Sequence, residues 1–306
     1  MRELRPCCIC GSSASTVRFE ATVSEGLWKG EIPDPFKVHY RVNRCAGCDL
    51  QFSSPILDDA GVRALYEGGV ATKKNDFSGT NVATGEAAGV QRTMELYYAH
   101  IRRFLQAKGS FMEVGCDVGY LLEAAKKDGF ANIYGCEPNP LARERAAAIP
   151  GATISDLFYE QWELPKEHFD ALTLIHVLDH LVDPMCVLRK AHAELKPGGI
   201  LFGVVHDVEC LIAKLAGERF PPFNLYHHYF FSKRTLRKLL EAAGFEVVGV
   251  DNTLNCYSLG FFVEKAPAFP GKEPLSNLLE KTHLARRSIT VPIGNIGIIA
   301  RKLGPQ

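Results

Sequence analysis

The sequence predicts an α/β protein with a doubly wound sheet, preceded by a small element that carries two cysteine pairs. Residues 111–114 are mostly apolar and lead through Gly115 and Gly119 into residues spaced like one face of a helix. The run FDALTLI, residues 169–175, is apolar almost throughout, as expected of a parallel strand buried on both faces. Both cysteine pairs have the form C-x-x-C and lie within the first 55 residues.

The composition favours a small-molecule partner. The chain has 306 residues, enough for one large domain and a small one. Apolar residues make up 46% and charged residues 23%, the values of a globular protein. Lysine plus arginine equals aspartate plus glutamate, 35 each, so no global positive field attracts nucleic acid or an acidic membrane.

The lengths of the apolar runs and the number of cysteines indicate the cellular compartment in which the protein is expected. No run approaches the roughly 18 apolar residues that span a bilayer, and the N-terminus lacks an apolar signal core. We therefore expect a cytoplasmic protein that does not enter a membrane. Ten cysteines in such a chain indicate metal ligands or free thiols before disulfides.

The two cysteine pairs have the pattern of a zinc ribbon. Cys7 and Cys10 form one knuckle, Cys45 and Cys48 the other, and the strand-like segment KVHYRV leads into the second. Four protein thiolates leave no open position on the ion, so the predicted zinc is structural. Cys8 could replace Cys7, and unliganded thiols in a small core are the plainer alternative. A nucleic-acid-binding ribbon is disfavoured because basic and aromatic residues are not interleaved here.

Composition shifts divide the chain into three predicted parts. Residues 1–55 form the ribbon, and residues 56–90 are rich in Gly, Thr, Asn and Ala, which predicts a linker or a lid. Residues 91–306 form the main domain. It opens with an amphipathic helix predicted over 91–107.

The glycine turn after residue 114 indicates a nucleotide-type site, because glycines let a backbone approach a ligand at a helix N-terminus. The dinucleotide fingerprint requires glycines at its first, third and sixth positions. Those positions hold Gly115, Asp117 and Tyr120, so two of the three fail. An ordinary strand-to-helix turn without a ligand is the plainer alternative.

The turn E-V-G-C-D-V-G resembles motif I of class I S-adenosylmethionine (SAM) methyltransferases, an acid followed by G-x-G-x-G. Asp117 replaces the middle glycine, and its carboxylate could clash with the methionine carboxylate of SAM or accept from its ammonium group. The resemblance implies cofactor contacts at Glu113, Gly115, Cys116, Asp117, Gly119 and Tyr120.

Two further strand ends complete the implied cofactor site. Glu137 lies 22 residues after Gly115, at the end of the second predicted strand, where ribose hydroxyls need a carboxylate acceptor. The run E-P-N-P resembles the family's E-P-S/N, which adds Pro138. After the third strand the resemblance implies that Asp156 and Leu157 contact adenine.

The fourth predicted strand is FDALTLI. The segment that follows it, HVLDHLVDP at residues 176–184, resembles the family's H/D-V-L-E-H-L-x-D-P. If this turn is helical, His176 and His180 share one face, with Asp179 able to orient His176. His176 is thus a candidate both for cofactor contact and for catalysis. A neutral histidine beside SAM can act as general base, although histidines here could also be merely packed. Asp183 and Pro184 are expected to start the next helix.

Three more candidate residues follow the run LKPGGILFGVV, in which the turn K-P-G-G, residues 196–199, leads into the fifth predicted strand. His206 replaces the usual Pro of a Pro-Asn pair at the mouth of the site. Tyr226 and His227 lie in a segment that resembles the family's P-x-x-H-L-x-x-F-S, and His227 falls on the family histidine. We expect His227 to be the base in preference to His206. Residues 251–292 connect the sixth predicted strand, FEVVGV, to the seventh, IGIIARK, and should shape the pocket or a homodimer contact.

The junction CDLQFSSP resembles the one that follows the ribbon in a bacterial group of zinc-ribbon methyltransferases, some acting on nucleotide sugars. The resemblance implies a Rossmann-like seven-stranded sheet with an antiparallel last strand, SAM as cofactor, and O- or C-methylation of a small-molecule acceptor such as a sugar or secondary metabolite. Two alternatives stay open. One is a non-catalytic SAM- or nucleotide-binding module that recognises a partner through its ribbon, and the other is an NAD-dependent enzyme.

Overall fold

The computed structural model describes residues 2–4, 6–23, 38–58, 60–61, 86–265 and 271–304. Most of the linker or lid predicted over 56–90 therefore lies outside the described residues, as does Lys37, where the strand-like segment begins. Among the described residues, no helix is both long enough and apolar enough to cross a membrane.

A seven-stranded mixed sheet forms the centre of the molecule. Its strands are β4 (Ser110–Val114), β5 (Asn132–Cys136), β6 (Ala152–Ser155), β7 (Phe169–Ile175), β8 (Leu195–His206), β10 (Glu246–Asn252) and β13 (Asn295–Arg301). Their order across the sheet is β10-β13-β8-β7-β4-β5-β6. Strands β4 to β8 run parallel, while β13 is antiparallel to both of its neighbours. The predicted Rossmann-like sheet with an antiparallel last strand is confirmed.

Helices cover both faces of this sheet. The α-helices of the described residues are α1 (Glu86–Arg102), α2 (Tyr120–Lys127), α3 (Pro140–Ala147), α4 (Pro184–Glu194), α5 (Leu211–Ala216), α6 (Lys233–Ala242), α7 (Leu259–Lys265) and α8 (Lys272–Lys281). Phe111 and Met112, neighbours on β4, are both fully buried but belong to different cores. Successive strand residues point to opposite faces, so each face of the sheet packs against its own layer of helices.

Helix α1 confirms the predicted amphipathic helix but neither of its bounds. It begins at Glu86 rather than at residue 91, and it stops at Arg102 rather than at residue 107. The amides of Arg103 and Phe104 bond to carbonyls three residues back, at His100 and Ile101. Such tight turns close an α-helix, and Phe104 still packs against the core from the turn.

A second, four-stranded sheet holds the cysteine knuckles. It consists of β1 (Ser15–Phe19), β2 (Val42–Cys45), β3 (Gln51–Ser53) and β9 (Tyr229–Phe230), all antiparallel. The pairing of β9 with β3 was not predicted, because β9 comes from the C-terminal part of the chain. The Ser53 amide extends the pairing by donating to the His228 carbonyl at 2.8 Å.

Residues 251–292 contain an antiparallel pair of strands, β11 (Asn255–Ser258) and β12 (Ser288–Val291), and helices α7 and α8 lie between them in the chain. Strand β11 is hydrogen-bonded to α1. The Cys256 amide donates to Thr93 Oγ1 at 2.8 Å, and the Tyr97 hydroxyl donates to Asn255 Oδ1 at 3.2 Å. The role of residues 251–292 in shaping a pocket or a dimer contact stays a prediction.

Candidate active site

The turn between β4 and α2 has a left-handed backbone at three alternate positions. Gly115, Asp117 and Gly119 have φ angles of 68°, 45° and 86°. Aspartate is among the few residues other than glycine that tolerate this conformation. Asp117 therefore keeps the backbone path that a glycine would take, and the unusual residue changes the charge of the turn rather than its shape.

Glu137 links this turn to the end of β5. Its carboxylate accepts from the Asp117 amide at 3.0 Å and from the Asn139 amide at 2.8 Å. Removal from water raises the pKa of Glu137 to about 7, against the effect of the Asn139 amide. Lone pairs remain on both carboxylate oxygens, so the group can still accept from a ligand's hydroxyls.

Three carboxyl groups converge at the turn. Glu113 is buried, and its Oε2 has no hydrogen-bond partner among the described residues. Burial, reinforced by the charges of Asp117 and Glu137, raises the pKa of Glu113 well above its ordinary value. This concentration of acidic groups suits a ligand that carries positive charge and repels a pyrophosphate.

The remaining predicted cofactor residues differ in their exposure. Asp156 and Leu157 are exposed just beyond β6, while Pro138 and Tyr120 are half-buried. The Cys116 side chain is buried in the core and faces Gly135. Only the backbone of Cys116 is therefore available at the surface of the turn.

The turn after β7 is not helical, so the expected shared face of His176 and His180 is wrong. His176 has a left-handed backbone, with φ 53°, and the His180 amide closes a tight turn onto the Val177 carbonyl at 2.9 Å. The His176 ring packs against His206, with centroids 4.7 Å apart, and the His180 ring against His227 at 4.3 Å.

Asp179 lies between these two histidine pairs. Its carboxylate is 4.0 Å from His180 Nε2 and 3.7 Å from His227 Nε2. In the described part of the chain neither of its oxygens has a hydrogen-bond donor, and the side chain is 4% exposed. Burial raises the pKa of Asp179 to about 6. We call Asp179 and its four histidines, His176, His180, His206 and His227, the histidine cluster.

Two ring nitrogens of the cluster are held by the protein. His206 Nδ1 donates to Asn295 Oδ1 at 2.9 Å, and His227 Nδ1 donates to the Pro222 carbonyl at 2.7 Å. Desolvation lowers the pKa of both histidines to about 4. Both rings are therefore neutral near pH 7, with the lone pair on Nε2.

Asp179 and Asn295 were not predicted as members of the site. The histidine motif gives Asp179 only the role of orienting His176, and Asn295 belongs to no motif. Asn295 pairs with His206 in the register of β13 and β8, so only knowledge of the antiparallel pairing identifies it.

Tyr226 lies in the core at 3% exposure, and its amide donates to Asn224 Oδ1 at 2.9 Å. A catalytic role for Tyr226 stays a prediction. Asp183 and Pro184 start α4 as predicted, because the Asp183 carboxylate accepts from the Cys186 amide at 2.9 Å.

The four predicted zinc ligands lie together. Cys7 Sγ is 3.6 Å from Cys48 Sγ, and Cys10 Sγ is 3.5 Å from Cys45 Sγ. All four sulfur atoms lie within 4.8 Å of one another, and the group contains Cys7 rather than Cys8. A tetrahedral zinc with bonds of about 2.3 Å separates its sulfur ligands by about 3.8 Å. The arrangement therefore fits one zinc ion.

Comparison with known families decides the chain's affiliation. A family model described as a methyltransferase domain matches residues 90–250, more than half of the 306 residues. The chain belongs to this methyltransferase family. The family, together with the fold, makes this a class I SAM-dependent methyltransferase domain.

The curated relatives are matched over only part of their length. A ubiquinone biosynthesis O-methyltransferase of Actinobacillus pleuropneumoniae serotype 7 is 36% identical over 101 residues, 30% of this chain and 43% of that protein. A protein of the same name from Aliivibrio fischeri strain MJ11 is 26% identical over 185 residues, 58% and 65% of the two chains. The matches thus span less than two thirds of these relatives.

Solved structures resemble this chain in fold. A chain of the complex between the Haloferax volcanii Trm112 methyltransferase activator and a methyltransferase has a TM-score of 0.53 at 15% identity, covering 73% of this chain and 97% of that chain. The YcgJ protein of Bacillus subtilis has a TM-score of 0.50 at 14% identity, covering 70% and 99%. At these identities the likeness concerns the fold alone.

Proposed function

We propose that this protein transfers the methyl group of SAM to an oxygen of a small-molecule acceptor. The observation that supports the proposal most is that the acidic turn and the histidine cluster lie at the same edge of the sheet. The acidic turn follows β4 and β5, and the histidine cluster follows β7 and β8, with β4 and β7 adjacent. Ligands of open α/β sheets bind at the carboxyl ends of such strands. The O-methyltransferase names of the relatives support oxygen as the methylated atom.

We propose that the acidic turn holds SAM. When bound, SAM supplies a methyl group on a positively charged sulfur, which leaves as a neutral thioether. Glu137 would accept from the ribose hydroxyls, and the Glu113 carboxyl with Asp117 would face the cationic part of the cofactor. Asp156 and Leu157, beyond β6, are proposed to contact adenine.

We propose His206 as the general base. Its Nδ1 is held by Asn295, which leaves the Nε2 lone pair to take the hydroxyl proton while an oxygen lone pair forms the new bond to carbon. His227, the base expected from its motif, has Nδ1 on the Pro222 carbonyl and Nε2 facing Asp179. Neither nitrogen of His227 is left for an acceptor.

Release of S-adenosylhomocysteine tests the function. We expect the purified protein to bind SAM and to release S-adenosylhomocysteine with at least one acceptor from a panel of phenols, sugars and amines. SAM binding without release across the whole panel would contradict the proposal and favour the non-catalytic module.

Replacing the base should separate turnover from binding. With the acceptor so identified, His206→Asn should lower kcat about 100-fold, the lower range for loss of a general base, and change the Kd of SAM less than threefold. His283→Asn is the control, because His283 is exposed and asparagine tolerates its left-handed backbone, with φ 57°. A kcat of His206→Asn equal to that of the control would remove His206 from this role.

We also propose that the four cysteines hold a structural zinc ion. Cys48→Ser should reduce bound zinc from about one equivalent to less than half, because it removes one of four ligands from a closed site. Cys8→Ser should keep the full equivalent, since Cys8 lies outside the four-sulfur group. Elemental analysis of the purified variants measures both. If both variants lose the same amount of zinc, or if the parent protein contains none, the proposed zinc site is wrong.

A further inference from the structure

We infer that the histidine cluster is a second metal site, in which Asp179, His180 and His227 bind one divalent transition-metal ion. Nothing in the family affiliation assigns a metal to these residues. Their three ligand atoms lie within 4.8 Å of one another.

The first argument is the state of the Asp179 carboxylate. It is buried, and neither oxygen has a hydrogen-bond donor within the described part of the chain. A buried carboxylate without a donor or counter-ion is strongly destabilising, so buried charges are paired or coordinate metals. The Nε2 atoms of His180 and His227 lie at 4.0 Å and 3.7 Å from it, beyond hydrogen-bond distance.

The second argument is the orientation of His227. Its Nδ1 donates to the Pro222 carbonyl, so the neutral ring points its Nε2 lone pair at the Asp179 carboxylate. Two acceptors that face each other across 3.7 Å repel unless a cation lies between them. A histidine that binds a metal through one nitrogen almost always donates its other N–H to a carbonyl or carboxylate in this way.

The third argument is distance. Ligand atoms on bonds of about 2.1 Å are separated by roughly 3.0 to 3.4 Å in octahedral or tetrahedral geometry. The observed separations of 3.7 and 4.0 Å would have to shorten by about 0.3 and 0.6 Å to reach the tetrahedral value. The backbone around the site is well held, because the amides of His228 and Tyr229 both donate to the Asp179 carbonyl, at 2.8 and 3.1 Å.

The ligand types restrict the ion. Two imidazoles and one carboxylate suit divalent iron, cobalt, manganese or zinc, whereas magnesium and calcium prefer oxygen ligands alone. Three protein ligands leave positions open, unlike the closed four-cysteine site. If the proposed methyl transfer holds, the hydroxyl group of the acceptor can bind at an open position of the ion. The ion then lowers the pKa of that hydroxyl, next to the proposed base His206. This last step rests on the proposed function, but metal binding does not.

Cobalt titration tests the site. We expect the protein with its four-cysteine site already filled by zinc to bind one further equivalent of Co²⁺, with the weak visible absorption of nitrogen and oxygen ligation and without intense thiolate charge-transfer bands. Asp179→Asn, His180→Asn and His227→Asn should each weaken this binding at least about 100-fold, while the control His283→Asn should not change it. Thermal unfolding of each variant checks that it folds.

Several outcomes overturn the inference. These are no Co²⁺ bound beyond the cysteines, absorption from thiolates only, or undiminished binding by folded Asp179→Asn. The titration uses neither SAM nor acceptor, so failure of the proposed methyl transfer leaves its result intact. Methyl transfer by a protein that binds no Co²⁺ would remove the metal site and leave the proposed function standing.

Discussion

Gly119→Ala should lower the free energy of unfolding by about 3 kcal/mol, the sum of a left-handed alanine and an overpacked contact. Gly119 has φ 86° at the start of α2. An added Cβ would lie 2.6 Å from Ile149 Cδ1 and 3.3 Å from the Ala146 backbone, so part of the clash is with a helix that cannot rotate away. Urea denaturation followed by circular dichroism measures the change.

Gly129→Ala provides the matched control. Gly129 has φ 96°, but no atom of the described residues outside its immediate chain neighbours lies within 4 Å of a Cβ added there. This variant therefore carries only the conformational strain, about 1 to 2 kcal/mol. If the two variants lose the same free energy of unfolding, the contact between the turn and α3 is not tight.

Glu137→Gln should weaken SAM binding about 10- to 150-fold, since hydrogen bonds to a charged group contribute about 1.5 to 3 kcal/mol. The substitution keeps the size of the side chain but removes the charge that accepts from the ribose hydroxyls. Isothermal titration calorimetry measures the Kd of SAM. Glu144→Gln, at an exposed position on α3, should leave the Kd unchanged.

The pH dependence of the same affinity has a defined sign. The pKa of Glu137 is raised to about 7, so the carboxylate is present above pH 7 and is lost as the pH falls. Ribose recognition requires the carboxylate, so the Kd of SAM should level off above about pH 8 and rise by up to about tenfold per pH unit below pH 7. Glu137→Gln should flatten this dependence. If the Kd of SAM depends as steeply on pH in this variant, the titrating group is not Glu137.

Local patterns in the sequence predicted most of the central sheet and the cofactor turn. Apolar strands such as FDALTLI and glycines that need a left-handed backbone depend on neighbours in the chain, so a single sequence records them. Glu137 could be predicted because its role follows from its place at a strand end. The grouping of the four cysteines could be predicted because two C-x-x-C knuckles in a chain without disulfides are typical of a shared metal site.

The parts that were not predicted depend on contacts between distant segments. Strand β9 has two residues, too few for any periodicity, and exists only because β3 pairs with it. The histidine motif predicted a helical turn, but His176 adopts a left-handed backbone and packs against His206, 30 residues along the chain. The central place of Asp179 follows from this packing and from no local pattern.

The pairing of β3 with β9 has a practical consequence for any attempt to study the methyltransferase region alone. A chain shortened to begin at residue 90 keeps the whole family match but loses β3, the partner of Tyr229 and Phe230. The amides and carbonyls of β9 would then form an open edge, and open edges recruit strands from other molecules. The shortened protein should therefore self-associate, and the segment that carries His227 and His228 would lose the Ser53 bonds that hold it in place.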